Sequence, residues 1–115
     1  VEQICAEASA LGLSVICPPE IISALNRRRR KDELSRGQYR EAKARLTAEV
    51  ADATILNLVP RVVAGAIKVL ETSDVRAMDA LHVACALCWG TELFVSSDQR
   101  QLRAGREAGL RTRQV

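Results

Sequence analysis

Three acidic residues occupy positions from which their carboxylates could share one ligand. Glu20 follows an apolar run at residues 13–17, Asp98 follows another at residues 93–96, and Asp79 lies near the start of a predicted helix. In an open parallel sheet, ligands bind beyond the carboxyl ends of the strands. Mg²⁺ and Mn²⁺ prefer oxygen ligands, and such an ion lowers the pKa of a bound water for attack on a phosphodiester. The three carboxylates therefore predict a divalent metal site.

Each carboxylate also has a structural interpretation. Asp98 can be the N-cap of the helix that follows it, and Glu20 suits a helix first turn because the helix dipole favours negative charge there. Asp79 shares its helix face with His82 and Val83, so its carboxylate is expected on the buried side of the helix. A buried carboxylate needs a partner, and a cation is one such partner.

Short apolar strands alternate with longer helices along the chain. Strands are predicted at residues 13–17, 54–59, 93–96 and 110–115. Helices are predicted at residues 2–11, 35–52, 62–70, 75–89 and 98–108. A further helix is predicted to begin at residue 18 and to continue into the basic residues that start at position 27. Parallel strands need helical crossovers and are covered on both faces. The pattern predicts an α/β fold, a three-layer sandwich around a short, mainly parallel central sheet.

Several helix boundaries carry recognisable caps. Ser35 and Gln38 have the spacing of a capping box at the start of one long helix. Ser73 or Asp74 can cap the helix that contains Asp79, and Gly90 can end it. These caps support the order of elements described above.

The composition limits the class of protein. The chain has 115 residues, which predicts a single domain over residues 1–115. Aromatic residues make up 3% of the chain, too few for a platform that stacks on bases, so any nucleic acid would have to be held through its phosphates. No apolar run approaches the roughly 20 residues that span a bilayer, and no leader-like pattern opens the chain. We expect a cytoplasmic protein without a membrane contact.

A basic run and the cysteines complete the candidate functional residues. The basic run consists of Arg27, Arg28, Arg29, Arg30 and Lys31. It can bind RNA phosphates or an acidic patch on a partner protein, or it can be a solvated helix end. A weaker basic stripe is formed by Arg100, Arg103 and Arg106. The cysteines are predicted to pack as small hydrophobes, because the only His, His82, and the pair Cys85 and Cys88 fall short of the four ligands that zinc takes.

Three segments resemble the PIN-domain family, and within it the VapC-like toxin ribonucleases. The segments are PPEIISAL at residues 18–25, RAMDALHVA at residues 76–84 and FVSSD at residues 94–98, with Gly109-Leu110 behind them. The resemblance implies a Mg²⁺- or Mn²⁺-dependent endoribonuclease, in which Glu20, Asp79 and Asp98 match the second, third and fourth motif acids. Ser97 matches a position that helps to orient a ligand or water.

The resemblance also implies partners. A VapC-like toxin is blocked by a small antitoxin protein and often forms a homodimer, and its substrate is RNA. The alternative is a PIN-like module without catalytic activity that binds a protein partner or RNA.

One family motif has no counterpart in the sequence. PIN domains begin with a central strand that carries the first acid, and no such segment precedes Val1. We expect a truncated sequence rather than a natural loss, because removing a central strand leaves the neighbouring strands with unpaired backbone groups. The chain without this acid is expected to bind metal poorly, and the missing acid can leave it inactive.

Overall fold

A computed structural model describes residues 10–115 of the chain. The helix predicted at residues 2–11 therefore lies mostly outside the described residues. Its last two positions, Ala10 and Leu11, are not helical, and Gly12 begins a strand instead of ending a helix. Gly12 therefore has the extended backbone of a strand and not the conformation that ends a helix.

Four strands and five helices form the described part of the chain. The strands are β1 (Gly12–Ser14), β2 (Thr54–Leu56), β3 (Phe94–Ser96) and β4 (Thr112–Gln114). The helices are α1 (Cys17–Arg30), α2 (Arg36–Asp52), α3 (Pro60–Thr72), α4 (Ala77–Trp89) and α5 (Gln99–Glu107). Within the described residues β1 pairs with β2, and β3 pairs with β4 in parallel. The predicted α/β class is confirmed.

The described residues divide into two compact units, one ending at Ile55 and the other beginning at Leu56. In the first, the predicted strand stops at Ser14 and α1 begins at Cys17, a correction of the predicted boundary. Proline has no N–H for a strand ladder, and its fixed φ suits a helix first turn. Pro18 and Pro19 therefore lie in the first turn of α1.

The capping box predicted at the start of α2 is confirmed. The Ser35 hydroxyl accepts a hydrogen bond from the Gln38 backbone N–H at 3.1 Å, and the Gln38 side chain accepts one from the Ser35 backbone N–H at 2.8 Å. Along α2, one face is half-buried, and it consists of Tyr39, Ala42, Leu46 and Val50. The two reciprocal bonds satisfy backbone donors that the first turn otherwise leaves unpaired.

The core of the second unit forms where α3 packs on α4. It consists of Val62, Ala66, Val69, Ala80, Val83, Ala84 and Cys85, joined by Ala104 of α5. Most of these side chains are small, which allows the helix backbones to approach closely. Gly105 of α5 serves the same purpose, because a Cβ at this position would lie 3.0 Å from Phe94 Cδ2 in β3. This packing holds α5 against the β3–β4 pair.

Two predicted boundaries in the second unit are corrected. The strand predicted at residues 54–59 ends at Leu56, and α3 begins at Pro60, because the residue before a proline is held extended and the proline itself starts the helix. The predicted Ser73 or Asp74 cap is wrong: α4 begins at Ala77, and Arg76 precedes it without a side-chain cap. The Ser73 hydroxyl instead donates to the Glu107 carboxylate.

The end of α4 follows the prediction. Gly90 adopts a left-handed φ of 74°, which glycine reaches without the steric cost of a Cβ. None of the helices in residues 10–115 is long and apolar enough to cross a membrane.

Candidate functional site

Asp79 is a buried carboxylate near the start of α4. Its side chain is 9% exposed, as expected for the buried side of the helix, and its helix neighbours Val83 and Ala86 are also buried. Asp79 Oδ1 accepts a hydrogen bond from Gln101 Nε2 at 2.9 Å. Among the described residues, this is the hydrogen bond that compensates the loss of water around the carboxylate.

Asp98 is the N-cap of α5. Its Oδ1 accepts hydrogen bonds from the backbone N–H groups of Arg100 at 2.8 Å and Gln101 at 3.4 Å. The structural interpretation of this residue is therefore confirmed: Asp98 caps a helix. Its side chain is exposed, so capping leaves the carboxylate open to solvent.

Gln101 is hydrogen-bonded to both carboxylates. Its side-chain amide donates to Asp79, and its backbone N–H donates to Asp98. Ser96 extends this group at the end of β3: its hydroxyl donates to Gln101 Oε1 at 2.9 Å and accepts from the Asp98 backbone N–H at 3.0 Å. The second unit thus brings Asp79 and Asp98 to one polar network, which we call the Gln101 network: Asp79, Ser96, Asp98 and Gln101.

Sequence reasoning missed Gln101 and Ser96. Asp98 and Gln101 have capping-box spacing, which would have singled out Gln101 as a helix cap. In the structure Ser96 accepts the Asp98 N–H that a capping box would assign to Gln101, and the Gln101 side chain reaches Asp79 instead. Ser97, which the resemblance indicated, is exposed, and the hydroxyl in the network belongs to its neighbour Ser96.

Glu20 belongs to the first unit. It lies half-buried in the first turn of α1, as predicted. Burial raises the pKa of the Cys17 thiol, and the nearby Glu20 carboxylate raises it further. The thiol of Cys17 is therefore held in its neutral form, as expected for a cysteine that packs rather than reacts.

The donor atoms of the Gln101 network match a hard divalent cation. Residues 10–115 contain no group of three or more His, Cys, Asp or Glu side chains arranged to hold a metal ion. Mg²⁺, however, is usually bound by one or two carboxylates together with waters and substrate phosphates. The carboxylates of Asp79 and Asp98 meet that smaller requirement in number and chemical type.

The basic run lies in the last turn of α1 and at its C-cap. All five side chains are exposed, as are the three arginines of the weaker stripe on α5. Arg29 donates to Asn26 Oδ1 at 2.8 Å and lies 4.9 Å from the centroid of the Tyr39 ring. An open cavity of about 480 Å³ follows the run and is lined by Arg29, Arg30, Asp32, Leu34, Ser35 and Arg36.

The described cysteines form no disulfide. Cys85 is buried, Cys17 and Cys88 are half-buried, and His82 is half-buried on the same helix as Cys85 and Cys88. Cys5 lies outside the described residues.

The model of the PIN domain family matches residues 1–107. The chain belongs to the PIN domain family. No curated protein sequence is significantly similar to the chain.

Membership of the PIN domain family indicates which reaction the Gln101 network could serve. PIN domains are generally metal-dependent nucleases, and they typically use divalent metals such as Mg²⁺. The matched range contains Glu20 and the whole Gln101 network.

Proposed function

We propose that this PIN domain is a Mg²⁺- or Mn²⁺-dependent endoribonuclease, the toxin of a type II toxin–antitoxin pair, acting in the cytoplasm. The observation that carries the proposal is the Gln101 network, in which two carboxylates from separate elements are bonded to one residue. Carboxylate oxygens are the ligands that Mg²⁺ and Mn²⁺ prefer.

Asp79 and Asp98 are proposed as the ligands of the ion. The ion, when bound, supplies a water of lowered pKa for hydrolysis of the phosphodiester. Asp79 provides a carboxylate fixed by burial, and Asp98 provides one that is already oriented by capping α5. Ser97 is proposed to orient a ligand or water, as the resemblance implies.

Glu20 is proposed as a third ligand on the strength of the resemblance at residues 18–25. Its acidic side chain at the start of α1 is the chemical type that this role needs. Because Glu20 comes from a different part of the chain than the Gln101 network, its assignment has its own arm in the experiment below.

The basic run is proposed to hold the phosphates of the RNA. Five exposed cations in sequence, beside an open cavity lined in part by arginine, support this role. The antitoxin and a homodimer are proposed as protein partners from the resemblance. Growth arrest on expression, relieved by Asp79→Asn, is the cellular test of the toxin role.

Thermal unfolding with and without Mn²⁺, combined with an RNA cleavage assay, tests the metal site. We expect Mn²⁺ in large excess over the Kd of this weak site to raise Tm, because a ligand that binds only the folded state adds about 2.7 kcal/mol at 100 times its Kd. Asp79→Asn and Asp98→Asn should abolish the shift and the cleavage. Asn still caps a helix at position 98 and still accepts a hydrogen bond at position 79, so both variants should fold.

Asp74→Asn is the matched control, since Asp74 is an exposed acid in the same unit. Glu20→Gln should weaken the Mn²⁺ response; an unchanged response removes Glu20 from the site and leaves the other two ligands. A Tm shift and cleavage that survive both Asp79→Asn and Asp98→Asn contradict the proposal. RNA binding without cleavage in Mn²⁺ favours the alternative, a binding module for RNA or a protein partner.

A further inference from the structure

We propose that Gln101 is a positioning residue for the metal ligand Asp79, and that Ser96 sets the orientation of its amide. This inference rests on the proposed function, since it concerns how that metal site is built. It starts from the hydrogen bonds of the Gln101 network, because the donor and the acceptor of each bond can be assigned in only one way.

The backbone N–H of Asp98 fixes which group donates in each hydrogen bond. A backbone N–H can only donate, so the Ser96 hydroxyl oxygen accepts from Asp98 at 3.0 Å. The single hydroxyl proton of Ser96 then goes to Gln101 Oε1 at 2.9 Å. With its oxygen engaged by Ser96, Gln101 presents its amide nitrogen to Asp79 Oδ1, 2.9 Å away. A carboxylate accepts such a bond and repels the amide oxygen, so both ends of the network select the same amide orientation.

The network selects one oxygen of Asp79. The hydrogen bonds that the described residues make to Asp79 and Asp98 all use Oδ1, and in this part of the chain Oδ2 of each takes no hydrogen bond. Gln101 therefore restrains the rotation of the Asp79 carboxylate and leaves Oδ2 for the ion. Through its backbone N–H, the same residue also restrains Asp98.

Residues that hydrogen-bond a metal ligand without touching the metal affect how tightly the metal binds. Removing a hydrogen-bonding group behind a metal ligand typically weakens metal binding or activity about 10- to 100-fold. We therefore expect Gln101→Leu, which keeps the approximate volume and removes both polar atoms, to raise the Mn²⁺ Kd by about 10- to 100-fold. Gln99→Leu is the matched control, because Gln99 is exposed on the first turn of the same helix.

Variants of Ser96 separate positioning from stability. Ser96→Ala removes the hydroxyl that holds the amide, so the Mn²⁺ Kd should rise, although less than in Gln101→Leu. Ser96→Thr keeps the hydroxyl on a residue that suits a strand and should restore the affinity of the unsubstituted chain. Tm without metal reports folding for each variant.

The experiment is a calorimetric Mn²⁺ titration of the five proteins, together with NMR of the Gln101 side-chain amide without metal. We expect amide protons protected from exchange in the unsubstituted chain and exposed in Ser96→Ala. A Gln101→Leu variant that has a lower Tm but an unchanged Mn²⁺ Kd overturns the positioning role and leaves the metal site intact. Absence of Mn²⁺ binding by the unsubstituted chain overturns the metal site and this inference together.

Discussion

Asp79 and Asp98 carry the same functional group in different surroundings. Asp79 is buried and is bonded by a neutral side-chain amide, whereas Asp98 is exposed and is bonded by two backbone N–H groups. Burial restrains the first carboxylate, and helix capping restrains the second. As the proposed metal ligands, both carboxylates would lose little side-chain freedom on binding an ion, which would favour affinity.

Cys17 provides a prediction at the residue scale. Its pKa is raised first by burial and then by the Glu20 carboxylate. Alkylation by iodoacetamide without divalent ions, followed peptide by peptide with mass spectrometry, should have its pH midpoint above that of the same cysteine in urea. Because the folded state holds this proton more tightly, the stability it contributes is present below the unfolded pKa and is lost as pH rises through the folded pKa.

Glu20→Gln provides the control for Cys17. Removing the negative charge should lower the midpoint partway toward the value in urea, because burial remains. A midpoint at or below the value in urea contradicts the assigned cause.

At the scale of elements, α5 is held by a few buried residues. Leu102 is 2% exposed, and Gly105 lies against Phe94 and Thr112 of the β3–β4 pair. The same helix carries Gln101, one residue before Leu102. The packing of α5 therefore positions the side chain that joins the two carboxylates.

Leu102→Ala tests this packing. Leu-to-Ala changes in cores cost about 2–5 kcal/mol, and we expect a loss in this range from urea unfolding. Leu70→Ala is the matched control, because Leu70 is 41% exposed and its loss should cost about 0.5 kcal/mol or less. Equal losses in the two variants would show that α5 is not held through Leu102.

At the scale of the whole molecule, positive charge is unevenly distributed. The formal net charge is +3, yet five cations follow one another from Arg27 to Lys31. The nearby cavity is lined by Arg29, Arg30 and Arg36, with Asp32 as the one acidic residue among its described lining residues. Such a local concentration of charge favours a polyanion without requiring aromatic stacking.

The salt dependence of RNA binding tests the basic run. Each phosphate contact to a single strand contributes about 0.7 to the slope of log K against log salt, so Arg30→Gln/Lys31→Gln should reduce the slope by about 1.4. The double variant Arg40→Gln/Lys43→Gln, made at exposed positions of α2, should leave it unchanged. Equal reductions in both variants would assign the effect to net charge alone.

Much of the fold was predicted from short-range signals. The Ser35 capping box and the Gly90 stop both depend on residues within a few positions of each other, and both are found in the structure. The prediction of a cap at Ser73 or Asp74 was wrong, because the Ser73 hydroxyl donates a hydrogen bond to Glu107, 34 residues away. The single domain, the ligand roles of Glu20, Asp79 and Asp98 and the role of Ser97 stay predictions.

The sequence by itself determined the α/β class, the order of the elements and the acidic residues with the chemistry for a divalent ion. These follow from periodicity, from turn and cap residues and from side-chain type, which are local properties. Only the tertiary structure decided that Gln101 donates a hydrogen bond to Asp79, 22 residues earlier in the chain. It also decided that the hydroxyl bonded to Gln101 belongs to Ser96 rather than to Ser97. Packing of α5 against its neighbours brings these groups together, and no local pattern encodes that contact.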